Sequence, residues 1–307
     1  MNKKQLASLR KNPLLAIVGI LSLDIFQWIP DSLFLKIVYR CRLGRKLHLD
    51  NPKTFNEKLQ WLKLYDRNPE YITYVDKYAV REHIRSTIGE KHLIPLVGVW
   101  NDVQSIDFDT LPERCVLKCT HDSGGVIFYD RSTSDVEHVQ KQLTSALNKD
   151  FYLRGREWPY KHVERKIIAE IFLEDGQDGS RLKDYKFLCF NGNPEMLMVC
   201  SSRTAMGLNV TFFDLDWNRL PFERHYPAAP EALPRPESLE KMIEIAKQLS
   251  TGIPFVRVDL YEIKGQIYFG ELTLYPGCGF EEFSPDAWDS RLGEMLRLPE
   301  IPKRGHP

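Results

Sequence analysis

Two carboxylates in apolar, strand-like surroundings are the residues of this chain best placed for chemistry. In FVRVDLYEIKGQIYFGELTLYPGCGF, Phe255 to Phe280, Asp259 and Glu271 each stand among hydrophobic neighbours. On a strand from Phe255 to Glu262 side chains alternate, so Arg257 and Asp259 share one face while Val256, Val258 and Leu260 take the other. On the next strand Phe269, Glu271 and Thr273 share a face. An odd-numbered hairpin loop, such as Ile263, Lys264 and Gly265 with Gly265 left-handed in a G1 bulge, makes the two polar faces coincide. Paired carboxylates repel unless a cation lies between them, and hard oxygen donors suit Mg²⁺ bridging to substrate phosphates. Arg257 beside them would neutralise or position a transferred phosphoryl group. The plain alternative is two solvent-facing acids on an exposed sheet.

A second constellation changes the weight of the first. In VLKCTHDSGG, Lys118 ends an apolar strand and a turn with Gly124 and Gly125 follows. An ammonium on one side and unobstructed backbone N–H groups on the other can hold polyphosphate. Alone, such a pattern is usually structural; together with the paired acids it reads as a phosphate site. His121 beside the turn is a further phosphate contact or a structural histidine. The chain has no G-x-x-x-x-G-K-[ST] loop, and GCGFEE carries Glu282 where a dinucleotide fingerprint needs its third glycine.

Two weaker motifs remain. FFDLDWN contains Asp214 and Asp216, which read as a turn or as the metal-holding pair of a glycosyltransferase. LRGREWPYK gathers Arg154, Arg156, Trp158 and Lys161 in a loop that either packs on the surface or receives a carboxylate or sugar stacked on Trp158.

The elements that must position these groups can be read from pattern. Residues 51–100 are mainly helical and end near LIPLVGVW. RCVLKCTHDSGGVIFYD is strand, turn, strand. SDVEHVQKQLTSALNKD is a helix with a capping box of Ser134 and Glu137. Further strands follow in RKIIAEIFLED, in DYKFLCFNGNPEMLMVC with a turn at Asn191 to Pro194, and in NVTFFDLDWNRLPF. A helix capped by Ser238 and closed by Gly252 leads into the paired acids. Strands with few interleaved helices imply α+β lobes with antiparallel sheets.

Composition is that of a soluble globular protein: 307 residues, 43% hydrophobic, with 42 basic and 42 acidic side chains. Zero net charge gives no general attraction to nucleic acid. Residues 1–50 depart from this balance, with nine lysines and arginines against three acids. The six cysteines show no zinc spacing, and most read as core residues of a reduced, cytoplasmic protein. The apolar run from Leu14 to Leu23 is about half of what a membrane span needs. It reads as a buried helix, or as a peripheral attachment in which residues 1–46 lie against the anionic inner membrane.

CVLKCTHDSGG, IIAEIFLED, DYKFLCFNG, VRVDLY and GELTLYPGCGF resemble, in order and approximate spacing, an ATP-grasp fold. RVDLY and GELTLYPG are similar to the metal-binding end of D-alanine:D-alanine ligases. With NPKTFNEKLQWLKLYDRNPEYITYVDKYAVREHI and LIPLVGVW included, the chain is more similar to the TupA-like ATP-grasp proteins of bacterial polysaccharide biosynthesis, over about residues 50–297. The resemblance implies a helical extension (1–50), an N-terminal lobe (51–114), a small lobe with the glycine loop (115–175) and a C-terminal lobe with the metal site (176–307). It implies ATP and Mg²⁺ as cofactors, with Lys118 on the nucleotide phosphates and His121, Ser123, Gly124 and Gly125 in the loop closing over them. Glu170, Ile171 and Phe172 would receive adenine in the hinge, and Lys186 would be a second basic contact. Asp259, Glu271 and Thr273 would hold Mg²⁺, and Arg257 would stabilise an acyl phosphate. The implied reaction is ATP-dependent joining of an amine, such as an amino acid, to a uronic-acid or glutamate carboxylate, as in teichuronopeptide-like polymers. Thr273 departs from the pattern, since many ATP-grasp ligases carry Asn there.

Overall fold

The computed structural model describes residues 13–174, 182–204 and 207–300. Two antiparallel sheets carry the candidate groups. The first is four-stranded, in the order β1 (Leu96–Trp100), β4 (Ile167–Ile171), β2 (Arg114–Cys119), β3 (Val126–Asp130). The second is five-stranded, in the order β10 (Gln266–Thr273), β9 (Phe255–Ile263), β5 (Asp184–Phe190), β6 (Asn193–Thr204), β7 (Gly207–Phe213). A short pair, β8 (Glu223–Arg224) with β11 (Phe283–Ser284), completes the strands. Mixed helices and antiparallel sheets make this an α+β fold.

Helices are α1 (Leu15–Leu21), α2 (Asp31–Leu43), α3 (Phe55–Tyr65), α4 (Glu70–Val75), α5 (Val80–Thr87), α6 (Val136–Leu147), α7 (Tyr152–Gly155), α8 (Leu239–Ser250) and α9 (Ala287–Met295). A capping box starts α3: Thr54 accepts from the Glu57 amide, and Glu57 accepts from the amides of Lys53 and Thr54. The box expected at Ser134 and Glu137 is not what starts α6. Asp135 is the N-cap, accepting from the amides of Glu137 and His138, while Ser134 accepts from the Asp130 amide in the turn before it. Ser238 does precede α8, but without a side-chain cap bond; its amide donates to Glu262.

Burial separates three cores. One packs α3, α4, α5, α8 and α9 on the five-stranded sheet. A second packs α6 on one face of the four-stranded sheet, through Cys115, Leu117, Cys119, Ile167 and Ala169. The third joins α1 and α2 to Leu47, Leu49 and Phe280. Residues 51–114, expected as one lobe, are therefore divided: α3 to α5 belong with the large sheet and β1 with the small one. The boundary expected at 175/176 lies outside the described residues.

The buried-helix reading of the N-terminal run is corrected. Within α1 only Val18 is buried, and Ile17, Ile20, Leu23, Ile25, Trp28 and Leu33 are exposed. A helix packed on a single neighbour buries one face, here Val18 with Leu15 and Leu21, and leaves the rest of an all-apolar surface exposed. Five of the six cysteines are buried in the core, and burial pushes the thiols of Cys119 and Cys189 up to about 12, while Cys278 is half-buried.

Candidate active site

Sheet register decides which side chains meet. The hairpin between β9 and β10 turns through two residues, Lys264 and Gly265, both left-handed at φ 49° and 78°, as a type I′ turn requires. This is not the three-residue loop expected, and by itself it would place Asp259 and Glu271 on opposite faces. The register then slips by one residue at Gly270, so that Phe269 pairs with Leu260 but Glu271 pairs with Asp259. The bulge restores the convergence that the turn alone would prevent.

Arg257 sits at the centre of the result. Its Nε donates to Asp259 Oδ1 at 2.6 Å, and its Nη2 donates to Asp259 Oδ2 at 2.7 Å, Glu271 Oε1 at 3.0 Å and Thr273 Oγ1 at 3.0 Å. Lys186, opposite Asp259 on β5, donates to Asp259 Oδ2 and lies 3.5 Å from Asp184 Oδ2. Burial opposes ionisation of Asp259, but Arg257 and Lys186 hold its carboxyl below the ordinary carboxylate range. Glu271 is the open member of the pair, its side chain 38% exposed against 1% for Asp259.

One guanidinium nitrogen thus touches an oxygen of each expected metal ligand, so Arg257 itself supplies the positive charge between the two acids, and a divalent cation would have to take oxygens that it leaves free or displace it. Two carboxylates and a hydroxyl fit a hard divalent cation that takes its remaining ligands from phosphate and water. Among the described residues no three His, Cys, Asp or Glu side chains could hold a metal by themselves.

The small sheet has one face packed on α6 and one open. On the open face Lys118 Nζ lies 2.6 Å from Glu170 Oε2, and Arg81 from α5 donates to Glu170 Oε1 at 3.1 Å. Val126 and Phe128, across from Lys118 and Val116 on β3, are exposed beside them. Phe172 follows β4, edge-on to Phe128 at 5.9 Å and under the Arg114 guanidinium at 4.1 Å. An apolar strip next to a lysine suits a flat base with phosphates. Ile171 pairs with Cys115 and so turns its side chain to the other face of the sheet, and its amide is taken by the Pro95 carbonyl.

The glycine loop between β2 and β3 has a support that spacing does not reveal. Gly124 is left-handed at φ 85°. A Cβ on Gly125 would lie 1.9 Å from Asp122 Oδ2, so any side chain there would have to displace this buried carboxylate. Lys77 holds Asp122 through its carbonyl and carboxylate. His121 is buried, with Nε2 3.1 Å from the Lys149 carbonyl, and burial lowers its pKa; its ring anchors the loop to the segment after α6.

A cavity of about 1290 Å³ connects the two halves, lined by Ser123 of the glycine loop and by Arg257 and Thr273. Of the LRGREWPYK loop, only Arg154, Glu157 and Tyr160 line it. Trp158 is buried against Tyr71, so it offers no stacking face, and Arg156 is fully buried over Phe34 at 4.3 Å and near Asp31 at 3.7 Å. Lys161 lies over the Tyr152 ring at 5.1 Å. Asp214 is consumed by a turn: Oδ1 accepts from the amides of Asp216 and Asn218, and Oδ2 from the Asn218 side chain.

Gly277, Cys278 and Gly279 form a left-handed run at the cavity wall. Lys63 and Gln60 of α3 donate to its carbonyls at 2.7 Å (Cys278) and 2.6 Å (Gly279), and burial pushes the Lys63 pKa down to about 8.

A search of curated proteins finds none similar to the chain. Among solved structures, a D-alanine–D-alanine ligase from Helicobacter pylori is 14% identical at a TM-score of 0.41, covering 79% of this chain and 69% of its own. A RimK domain ATP-grasp protein from Sphaerobacter thermophilus is 11% identical at 0.40, covering 76% and 70%. A D-alanine–D-alanine ligase from Bacillus anthracis complexed with ATP is 13% identical at 0.39, covering 66% of this chain. The chain spans only 55% of that enzyme's length. The sequence model of one family, described as TupA-like ATPgrasp, matches residues 57–297. The chain therefore belongs to the TupA-like ATP-grasp family.

Proposed function

We propose that the protein is an ATP- and Mg²⁺-dependent ligase that joins an amine to a carboxylate through an acyl phosphate, in the biosynthesis of a cell-surface polysaccharide. The observation that carries the reading is the convergence of Asp259, Glu271 and Thr273 on Arg257, beside a cavity that Arg257 and Thr273 line and that also reaches the glycine loop at Ser123. Mg²⁺, when bound, supplies charge neutralisation for the phosphates. The chain does the rest by positioning, which suits phosphoryl transfer. Lys118 is held towards the open face by Glu170 and presents its ammonium to phosphate. Val126 and Phe128 cover a base. Arg257, buried and always charged, faces the developing charge on the transferred group.

The preferred acceptor is a uronic-acid or glutamate carboxylate, and the amine an amino acid. Purified protein should release ADP and phosphate only when Mg²⁺, ATP, a carboxylate and an amine are all present, and Asp259→Asn should abolish the release. No ADP above background across a broad panel of amino acids and uronic acids would sink the reading. A glycosyltransferase would bind a nucleotide sugar and ignore ATP; the commitment of Asp214 to a turn gives that alternative no support. A scaffold without activity would show no thermal shift with Mg·ATP.

The exposed N-terminal patch supports a peripheral site of action. No helix among the described residues is long and apolar enough to cross a membrane. We propose that α1 and the residues after it rest on an anionic bilayer. Ile25 and Trp28 are 70% and 74% exposed, and the exposed cations Lys36, Arg40 and Lys46 follow. Lys3, Lys4, Arg10 and Lys11, outside the described residues, add charge of the same sign. The protein should co-sediment with phosphatidylglycerol vesicles but not with phosphatidylcholine vesicles, and Ile25→Glu with Trp28→Glu should release it. A dimer by light scattering with no vesicle binding would assign the patch to a second copy instead.

A further inference from the structure

The cavity beside Arg257 and the exposed apolar surface of the N-terminal segment meet at one residue. Leu15 opens α1 and lines the cavity, together with Arg42 at the end of α2 and Arg45 just beyond it. α1 packs on α2 through Val18, with Leu15 and Leu21 partly buried beside it. Leu14, Ile17 and Ile20 stay exposed. Three residues apart, they lie along one side of the helix. Seven residues of helix make this side about 10 Å long. It leads from the cavity edge towards Leu23, Ile25 and Trp28, which are exposed as well.

The cavity itself is polar and belongs mainly to the substrate side. Lys118, Val126 and Phe128, the groups facing the nucleotide, do not line it, and the glycine loop reaches it only at Ser123. Its volume of about 1290 Å³ exceeds the ~300–1,000 Å³ usual for a small-molecule pocket. The walls carry both signs of charge: Arg42 and Glu223 line them, and Arg45 pairs with Asp286 there. A ligand rich in hydroxyl groups finds donors and acceptors on such a surface, since each hydroxyl can serve as either. Tyr226 also lines the cavity, exposed and edge-on to His225 at 4.6 Å, and adds an aromatic ring for the C–H face of a sugar.

We propose that the carboxylate substrate is an amphiphile, a sugar acid carried on an apolar chain, with the sugar in the cavity and the chain along Leu14, Ile17 and Ile20. The inference rests on the ligase reading above and says in what form its carboxylate arrives. A free or nucleotide-linked sugar has no apolar part to cover this side of α1. A lipid-linked one covers it at the point where it meets the cavity. The same surface is the one proposed to rest on a bilayer, so the cavity opens where a membrane-borne substrate is presented. The chain can then stay in apolar surroundings while the sugar enters, and no methylene groups need to be transferred to water. Since α1 precedes the family match at residue 57, the form of the acceptor is set by a segment outside that match.

The test uses the full chain saturated with Mg²⁺ and a non-hydrolysable ATP analogue, with calorimetric titration of methyl glucuronide and of dodecyl glucuronide below its micelle concentration. The dodecyl compound should bind at least ~10-fold more tightly, the worth of about two buried methylene groups. Excess methyl glucuronide should displace it, because both sugars take the same cavity. Ile17→Ser combined with Ile20→Ser changes only exposed side chains, so the variant keeps its fold, and it should bring the two affinities to within about twofold of each other. The proposal is wrong, while the ligase reading stands, if the analogue binds and any of three results follows: neither glucuronide binds, the two bind alike to the wild type, or the double variant keeps the full gain. A dodecyl compound that excess methyl glucuronide cannot displace sits on the apolar surface alone and overturns the proposal too. If the analogue itself does not bind, both readings fall.

Discussion

Glu271 lies directly across the ladder from Asp259 because Gly270 is skipped in the pairing of β9 with β10. The skip leaves little room: a Cβ on Gly270 would lie 3.0 Å from the Asp259 carbonyl oxygen and 3.0 Å from the Tyr261 ring. Gly270→Ala should therefore cost about 1–2 kcal/mol by crowding. It should also disturb the acid pair, so the gain in Tm produced by Mg·ATP should shrink more than the gain from ATP in EDTA. Scanning calorimetry of both proteins with and without Mg²⁺ gives the comparison. A Gly270→Ala variant with the wild-type Mg²⁺ response would show that the bulge does not shape the site.

Lys118 and Arg81 share Glu170, from two different elements. Lys118→Met should raise the KM for ATP at least ~10-fold, since a charged phosphate contact is lost. Its effect on Tm should be small, because Arg81 still satisfies Glu170. Glu170→Gln is the reverse case: it leaves two half-buried cations without their anion and should destabilise by about 1–3 kcal/mol. Equal Tm losses in the two variants would contradict this division between binding and structure.

Much of this arrangement was legible in the sequence, and the remainder was not for physical reasons. Alternation placed Arg257 with Asp259 and Glu271 with Thr273, because each strand obeys a period of two. The link between the strands was missed in detail, since a two-residue turn plus a bulge and a three-residue loop give the same facing. Lys77, Arg81 and Lys63 escaped notice because their partners Asp122, Glu170 and Cys278 are far away in the chain and an isolated cation carries no signal. The exposure of Ile25 and Trp28 was hidden by a run whose apolar content alone fits a buried helix equally well.

Asp259 also predicts a pH response. Its carboxyl is held below the ordinary range by Arg257 and Lys186 despite burial, so the folded state binds its proton less readily than the unfolded chain. The stabilisation is fully present above the unfolded pKa of about 3.9 and is lost as pH falls through the folded value. Asp259→Asn removes the carboxylate that Arg257 and Lys186 share, leaving them only Glu271 and Asp184, and should cost about 3 kcal/mol at neutral pH. The difference in stability between wild type and Asp259→Asn should stay level from pH 7 down to about 4 and narrow below that. Urea titrations across this range test it; a difference that already narrows near pH 6 would mean the carboxyl is not held low.

Thr273 decides how the metal would be completed. Its Oγ1 accepts from Arg257 at 3.0 Å and donates to Glu271 Oε1 at 3.3 Å, so the hydroxyl lies between the guanidinium and the more exposed acid. Thr273→Val keeps the shape of the side chain and removes the oxygen. If that oxygen ligates Mg²⁺ or fixes Glu271 for it, the Mg²⁺ concentration needed for half-maximal ADP release should rise roughly 10-fold, with the KM for ATP at saturating Mg²⁺ little changed. Thr273→Asn supplies an amide oxygen, a stronger dipole in the same place, and should restore or lower the requirement. The two substitutions moving the Mg²⁺ midpoint in opposite directions is the signature of a ligand position. A Thr273→Val enzyme with an unchanged midpoint would leave Asp259 and Glu271 as the only protein ligands and confine Thr273 to holding Arg257 in place.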